Sequence, residues 1–269
     1  MSSSAERPEL VFTRRGGRTV LAHSQLTAPM TMVRPFALAG GRQLVQLITL
    51  GPGLCAGDRI DLRITAEAGA DVVITTTAAT RVLSMHDGQH AEQHIRITAH
   101  SGATILYYPL VTIPFPDSAF TQTVHVDTAR DARVGVLESW ALGRTARDEY
   151  LQFRSFSTRT RLHVDGELLY ADATELQPRD HDLASTAVLA GRRYLASGFW
   201  HGATIATPPQ EGASTGDLLL AFAQSRGDLA YLRALASDAP ALDAALREAT
   251  ARVASGWRHE AASFDRFRC

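Results

Sequence analysis

The hydrophobic and polar positions of the chain alternate with a period of two over much of its first two thirds. The alternation begins in residues 9–50, where Gly16-Gly17 and Gly40-Gly41 interrupt it. Between residues 57 and 176 it continues through the segments "RIDLRIT", "DVVITTT", "QHIRIT", "TILYYP", "FTQTVHVD", "RVGVLES" and "RTRLHVD". Because alternate side chains of a strand point to opposite faces, these segments predict a mainly β protein.

A weak internal repeat runs through the same region. "ITAEAGADVVI" begins at Ile64, "ITAHSGATILY" begins 33 residues later at Ile97, and a looser copy, "DTARDARVGVL", begins 30 residues further on at Asp127. Each copy reads as a strand, a short polar turn and a second strand. Gly69 and Gly102 lie in the first two turns, where a positive φ is expected. The repeat favours a β-helical, solenoid-like stack of strands, with ordinary sandwich hairpins as the alternative.

The pattern of apolar and polar residues changes in the last third of the chain. After the loop "PPQEGASTGD", the segments "LLLAFAQSRGDLAYLRALAS" and "PALDAALREATARVASGW" have helical spacing. Ser237 or Asp238 is the expected N-cap of the second segment, and Pro240 lies in its first turn. The sequence therefore predicts a small C-terminal helical pair packed on the β body. The predicted organisation is a disordered N-terminus (1–8), a β-helical body (9–214), a helical element (215–258) and a C-terminal tail (259–269).

Composition changes this picture little. The 269 residues carry a formal net charge of −1, which gives no electrostatic basis for binding nucleic acid or an anionic membrane. The two cysteines, Cys55 and Cys269, do not make a disulfide framework. The N-terminus has no charged and apolar signal segment, and no apolar run reaches the roughly 18 residues of a membrane span. We therefore expect a cytoplasmic protein without a membrane segment.

Three histidines, His86, His90 and His94, recur every four residues in "HDGQHAEQH". On a helix they would share one face and could bind Ni²⁺ or Zn²⁺. Asp87-Gly88 is a turn signal, however, and four residues of the following strand span roughly 13 Å, too far for two imidazoles to bind one ion. The preferred interpretation is an exposed hairpin tip with solvated histidines, and a weak surface metal site is the alternative.

The segment "GPGLCAGD" is a glycine-rich turn that ends in Asp58. It is not a phosphate-binding loop, because its spacing differs and no Lys-Ser or Lys-Thr follows. Cys55 is interpreted as a buried space-filling residue, with a metal ligand or a reactive thiolate as the alternative. Asp58 is either a turn cap or a carboxylate held at a fixed place, and the spacing does not choose between the two.

Acids occur in and beside the predicted strands, at Asp58, Asp61, Glu138 and Glu175. The alternation in "VGVLESWALGR" places Glu138 on the face opposite to that of Leu137. A strand acid between apolar neighbours indicates a buried ion pair, for which Arg81 and Arg144 are candidate partners. If several acids line one interior channel, they form a path for cations instead. Carboxylate oxygens bind divalent ions loosely unless several converge, and loose binding at several sites lets an ion move on.

Several segments, taken in order, resemble the signature of the UreD (also called UreH) urease accessory proteins. They are "GPGLCAGDRIDLRITAEAGADVVITTTAATRV", "ATILYYPLVTIPFPDSAFTQTVHVD" and "VGVLESWALGRTARDEYLQFRSFSTRTRLHVDGELLYADATEL", together with "GGRTVLAHSQLTAPMTMVRPF" and "LASTAVLAGRRYLASGFW". Ala56 stands where the family usually has glycine, Thr77 where proline is common, and Arg81 where lysine is usual. None of these departures removes an acid.

The resemblance implies a non-enzymatic chaperone or scaffold with a β-helical fold and a small helical element. The implied partners are an F-type accessory protein, a G-type GTPase accessory protein and apo-urease, and a homodimer is allowed within that complex. Nickel(II) would pass in transit through an interior tunnel in a GTP-dependent step, with no tightly bound cofactor. The residues expected along the passage are Asp58, Glu138, Glu175, Thr76 and Thr80, with Cys55, His86 and His90 as weaker candidates.

A β-solenoid hydrolase or lyase acting on a polysaccharide is the alternative function, and it would use paired carboxylates facing an open groove. Such enzymes usually bind sugars through exposed aromatic residues, which make up only 7% of this chain. The serines, threonines and histidines show no defensible triad spacing, and "TTTAATR", from Thr75 to Arg81, is typical of a strand. A plain binding module that uses the C-terminal helices as its interface is a third interpretation.

Overall fold

The structure is a computed structural model that describes residues 8–203, 205, 216–225 and 227–257. Residues 1–7 of the predicted disordered N-terminus and the whole predicted C-terminal tail, with Cys269, lie outside the described residues. Most of the "PPQEGASTGD" loop also lies outside them. The predictions for these three segments therefore remain predictions.

Strands account for most of the regular structure. They are β1 (Glu9–Arg15), β2 (Arg18–Gln25), β3 (Met30–Met32), β4 (Phe36–Ala37), β5 (Gln43–Thr49), β6 (Arg59–Ala66), β7 (Asp71–Thr76), β8 (Thr80–Val82), β9 (Ala91–Ala99), β10 (Thr104–Tyr107), β11 (Thr112–Pro114), β12 (Ala119–Thr128), β13 (Arg133–Ala141), β14 (Ser155–Val164), β15 (Glu167–Leu176), β16 (Tyr194–His201), β17 (Leu218–Gln224) and β18 (Leu229–Ala236). Within the described residues there is a single α-helix, α1 (Ala239–Trp257).

The strands form two sheets that face each other. A seven-stranded sheet has the order β15-β14-β12-β9-β6-β1-β2, and its neighbours from β1 to β14 are parallel. An eleven-stranded sheet has the main order β17-β18-β16-β13-β10-β7-β5-β3, with β4, β8 and β11 beside it. The chain crosses from one sheet to the other between β6 and β7, β9 and β10, and β12 and β13. These crossings confirm a mainly β, solenoid-like fold.

The sequence repeat corresponds to these crossings. Ile64 lies opposite Ile97 in neighbouring parallel strands, as the 33-residue spacing predicts. Gly69 and Gly102 have φ values of 70° and 66° in the first two turns, which confirms the predicted positive φ. The third copy is displaced by one residue from its prediction, because Val126 and not Asp127 lies opposite Ile97. The third turn has no glycine, so the sequence alone does not define how the third copy aligns with the first two.

The main hydrophobic core lies between the two sheets. Alternate residues of the seven-stranded sheet, such as Leu62 and Ile97, point inward and meet residues of the other sheet such as Ile105 and Val134, and all four are fully buried. Burying an aliphatic side chain of this size contributes about 1.5–3 kcal/mol. The inward positions therefore provide most of the driving force for stacking the coils.

The predicted helical pair is wrong in its first member. The segment from Leu218 to Ala236 forms the antiparallel strands β17 and β18, and β18 also pairs with β16. The burial of β18 alternates along its length, with Leu232 buried and Arg233 exposed. Gly227, which lies inside the segment predicted as a helix, has a φ of 80° in the connection between the two strands. Pairing with the sheet edge therefore overrides the helical spacing, and the predicted boundary at 214/215 does not separate strands from helices.

The second predicted helix is confirmed as α1. Asp238 Oδ1 accepts a hydrogen bond from Ala241 N at 2.8 Å, so Asp238 is the N-cap, and Pro240 lies in the first turn. Leu242 and Leu246 pack with the outer face of the eleven-stranded sheet in a second apolar cluster. Across the described ranges, no helix combines the length and the apolar character needed to cross a membrane.

Candidate functional site

Glu138 lies in β13 with its side chain pointing between the two sheets, and only 3% of the residue is exposed. Leu137 packs in the cluster on the opposite face, as the alternation predicts. Gln122 Nε2 donates a hydrogen bond to Glu138 Oε1, and Thr160 Oγ1 donates one to Oε2 at 3.0 Å. Two neutral side chains from the facing sheet therefore hold this buried carboxylate.

An ion pair between Glu138 and a nearby arginine is a prediction that the structure corrects. Arg144 forms a bidentate pair with Glu149, five residues along the chain. Arg81 is exposed on β8. Arg81 lies within the short strand β8 and Arg144 precedes a single helical turn, and their side chains reach solvent and Glu149, respectively, and not Glu138.

Burial raises the pKa of Glu138 from 4.5 to about 7, because the carboxylate loses its contact with water. The hydrogen bonds from Thr160 and Gln122 oppose this change, whereas the nearby charge of Asp172 adds to it. The carboxyl group therefore exchanges between its charged and neutral forms near neutral pH. A cation that approaches it could displace a proton at little free-energy cost.

A small cavity of about 20 Å³ lies beside Glu138. Its polar lining includes Thr76, Thr80, Gln93, Tyr107, Gln122 and Glu138. A water molecule needs about 10–15 Å³ of such space, so the cavity has room for about one. Three of the residues predicted from the sequence, Glu138, Thr76 and Thr80, thus meet around one cavity. The Thr76 hydroxyl is also used locally, since it bonds Ala78 O and accepts from Leu110 N.

Further polar side chains lie between Glu138 and β15, the edge strand of the seven-stranded sheet. Asp172 of β15 accepts hydrogen bonds from Ser197 and from Arg233, whose guanidinium also forms an ion pair with it. We call the interior set the polar band. It consists of Thr76, Thr80, Gln93, Tyr107, Gln122, Glu138, Thr160, Asp172 and Ser197. At its far end, Thr174 and Arg233 line an open groove of about 530 Å³.

Asp172 is a member of this set that sequence reasoning missed. In "LLYADATEL" the inward positions alternate through Tyr170, Asp172 and Thr174. The same alternation places Glu175 on the exposed face of β15, where its Oε1 accepts a hydrogen bond from Gln177. Glu175 lines the open groove but not the cavity of Glu138. Counting alternate positions back from the buried Leu176 would have found Asp172.

Asp58 and Cys55 lie on the glycine-rich turn before β6. Asp58 Oδ2 accepts a hydrogen bond from Cys55 N at 2.7 Å, so its interpretation as a turn cap is confirmed. Cys55 is an exposed free thiol, and its interpretation as a space-filling residue is wrong. The neighbouring Leu54 fills the interior instead, with none of its surface exposed. Asp58 lines a shallow surface groove with His90 and not the Glu138 cavity.

His86 and His90 are exposed, as expected, but His94 is half-buried, and the group is not a hairpin tip. β9 pairs in parallel with β6 and β12, so the turn at His86 connects two sheets. Glu92, which the sequence analysis did not consider, bonds His90 Nε2 at 2.8 Å and His94 Nε2 at 3.0 Å. Arg59 Nη1 also donates to Glu92 at 3.1 Å. These histidines are therefore joined through a carboxylate that already has three partners.

Comparison with known proteins decides the family. A family model described as "UreD urease accessory protein" matches residues 5–269, nearly the whole chain. The chain belongs to this UreD family. The resemblance inferred from the sequence is thereby confirmed, and the family assignment places the chain in urease maturation.

Individual members of the UreD family support the same assignment. The chain is 34% identical over 248 residues to the urease accessory protein UreD of Deinococcus radiodurans, covering 92% of this chain and 89% of that protein. It is 37% identical over 194 residues to urease accessory protein UreD 1 of a Synechococcus species, covering 72% of each. Similarity to UreD 2 of Streptomyces griseus reaches 34% over 200 residues, covering 71% of this chain and 67% of that protein.

The acids chosen from the sequence do not form a glycosidase-like pair in this UreD-family chain. Glu138 is buried in its cavity, Asp58 caps a surface turn, and Glu175 lines a different groove. Polysaccharide cleavage requires two carboxyl groups facing the same open groove at roughly 5–10 Å. The geometry of these three residues therefore does not favour the alternative function.

Proposed function

We propose that this UreD-family chain helps to load nickel(II) into apo-urease in the cytoplasm by letting the ion pass along the polar band. In the proposed assembly it acts with an F-type accessory protein and a G-type GTPase accessory protein, and the GTPase supplies the hydrolysis of GTP. The chain contributes a route and a scaffold and performs no chemical step. The proposal leaves room for a second copy of the chain in the same assembly.

The observation that supports the proposal best is the buried carboxylate of Glu138, held by the neutral side chains of Gln122 and Thr160. Burying a carboxylate costs several kcal/mol unless a cation or metal compensates for the lost water. A glutamine or leucine at this position would serve a purely structural role with less cost. A divalent cation visiting the site would compensate the charge and use the oxygens already gathered there.

The composition of the polar band suits transit better than storage. Glu138 offers carboxylate oxygens, and Thr76, Thr80 and Thr160 offer hydroxyl oxygens, which bind divalent ions loosely when few carboxylates converge. The next acid along the band, Asp172, is already paired with Arg233. The band therefore does not present two carboxylates that would trap an ion at one position, and weak sites in series allow movement.

The size of the cavity adds a requirement to the proposal. A space of about 20 Å³ has room for about one water molecule and not for a fully hydrated nickel ion. In the proposed mechanism the band widens when the partner proteins bind, and the ion exchanges part of its water for protein oxygens. The threonine hydroxyls can rotate to face an ion, so they adapt to this exchange without moving the backbone.

Reconstitution from purified proteins tests the role of the chain. Apo-urease is mixed with nickel, GTP and the F-type and G-type proteins, with or without this chain, and urease activity and bound nickel are followed over time. We expect activation with GTP to require the chain and the nickel content of urease to rise in parallel. Equal rates and equal nickel content without the chain would contradict the proposed function.

A further inference from the structure

A second group of polar residues lies on the outer face of the seven-stranded sheet, away from the polar band. His125 and Asp127 are two residues apart on β12, and His163 of β14 lies directly opposite Asp127. Val124, Val126 and Leu162, which alternate with them, point into the core. The strand geometry therefore places two imidazoles and one carboxylate side by side on one surface.

The distances within this cluster are short. Asp127 carboxylate oxygens lie 3.3 Å from His125 Nε2 and 3.9 Å from His163 Nδ1. The two imidazole rings have centroids 4.8 Å apart. Each residue offers a ligand atom, and the three atoms lie within 4.8 Å of one another. Ligand atoms bound to a tetrahedral ion at about 2.0–2.1 Å are themselves roughly 3.3 Å apart, so small side-chain movements would bring the three onto one ion.

His163 supports this interpretation independently of the distances. Its Nδ1 is buried and makes no hydrogen bond to any described residue, although a polar atom in such a place normally has a partner. The atom is directed towards Asp127, with 23% of the His163 side chain exposed. A metal ion bound by His163 Nδ1 and the Asp127 carboxylate would give this nitrogen the partner that it lacks.

We propose that His125, Asp127 and His163 form a surface site for a divalent transition-metal ion of the nickel, zinc and copper class. Two imidazoles and a carboxylate are ligands that these ions prefer, and the exposed side of the cluster leaves further positions for water. Arg96 and Arg161 lie opposite His125 on the two neighbouring strands. Their positive charges weaken the binding of a cation, so the site binds reversibly and does not retain the ion permanently.

The histidine group near β9 provides a natural contrast. There Glu92 is already bonded by His90, His94 and Arg59. Within the part of the chain that the structure describes, the cluster on β12 and β14 is the only group of three histidine, cysteine or carboxylate side chains placed to hold one metal ion. The site does not depend on the proposed function, because it lies on the outer face and its binding can be measured on the chain alone.

Metal titration of the full chain, prepared without a histidine tag, tests the site. Calorimetric titration with nickel chloride and zinc chloride should show a bound equivalent that the double variant His125→Ala/His163→Ala loses or binds at least about tenfold more weakly. The matched control His90→Ala/His94→Ala should keep it. Circular dichroism of both double variants checks that they are folded.

A spectroscopic readout separates this site from other surface histidines. Copper(II) bound to the full chain should show nitrogen hyperfine coupling from two imidazoles in its electron paramagnetic resonance spectrum, and His163→Ala should reduce the coupling to one. The proposal is overturned if the wild-type chain binds none of these ions, if the His125/His163 variant binds them unchanged, or if the control variant loses the equivalent instead.

Discussion

Replacing Glu138 by glutamine should lower the rate of urease activation by about tenfold or more. The substitution keeps the size of the side chain and its ability to accept a hydrogen bond, but it removes the buried negative charge beside the cavity. Two unit charges about 4 Å apart attract each other by about 4 kcal/mol at an effective dielectric constant near 20. Losing part of this attraction for a divalent ion is enough for a tenfold effect, which corresponds to 1.4 kcal/mol.

The measurement is the initial rate of urease activation by the complete accessory complex at fixed nickel and GTP. Glu167→Gln is the matched control, because Glu167 is an exposed glutamate at the start of β15 and lies outside the polar band. The control should activate urease at the wild-type rate. If the Glu138 variant also does so, while remaining in the complex, the buried carboxylate plays no part in loading the metal.

The second large effect of Glu138→Gln concerns stability and has the opposite sign. The pKa of Glu138 is raised from 4.5 to about 7 in the folded chain, chiefly by burial, so the folded state binds more protons than the unfolded state between these values. The free energy of unfolding of the wild-type chain should therefore fall as pH rises from about 4.5 to about 7, and level off above that. The expected fall in the free energy of unfolding is about 3 kcal/mol, since each pKa unit corresponds to 1.36 kcal/mol.

Glutamine does not titrate, so the variant lacks this pH-dependent loss. The variant should therefore gain about 3 kcal/mol relative to the wild type between pH 4 and pH 8, as measured by urea denaturation at each pH. Burial also raises the pKa of Asp71 to about 6, but this group is present in both proteins and cancels in the difference. Parallel stability curves for the two proteins would show that Glu138 does not titrate in this range.

The two effects together distinguish a functional carboxylate from a structural one. A residue kept for packing or hydrogen bonding should lose stability when it is replaced, with activity falling as a consequence. The Glu138→Gln variant is expected to lose activity while its folded state gains stability relative to the wild type as the pH rises from about 4.5 to about 7. Residues that bind or guide ligands commonly show such a trade-off, because their charge is unfavourable in the unliganded protein.

Periodicity predicted most of the fold. Alternation identified the strands that carry Ile64 and Ile97, and the glycine turns at Gly69 and Gly102 identified the repeat. Periodicity failed in the segment from Leu218 to Ala236, where small and apolar residues are compatible with a helix or a strand. Pairing with β16 decided the outcome, and a non-local partner of this kind is not visible in the local sequence.

The site was predictable only in part. Alternation placed Glu138 on the face opposite to that of Leu137, but Gln122 and Thr160 come from strands that are distant in sequence, and only the stacking of the coils brings them to its carboxylate. Asp58 is a candidate from the sequence because it ends a glycine-rich turn, yet its carboxylate accepts a hydrogen bond from Cys55 N within that turn. The sequence shows which face a residue occupies, whereas the meeting of residues across the interior depends on the register between sheets.

The most direct test of the central claim is nickel transfer in the presence of an external chelator. The accessory complex containing this chain is loaded with radioactive nickel, apo-urease and GTP are added, and a large excess of a hydrophilic chelator is supplied at the same time. If nickel travels along the polar band, its transfer to urease should persist under the chelator with the wild-type chain and be lost with Glu138→Gln. Complete loss of transfer with the wild-type chain, or equal persistence with both chains, would contradict passage of the ion beside Glu138.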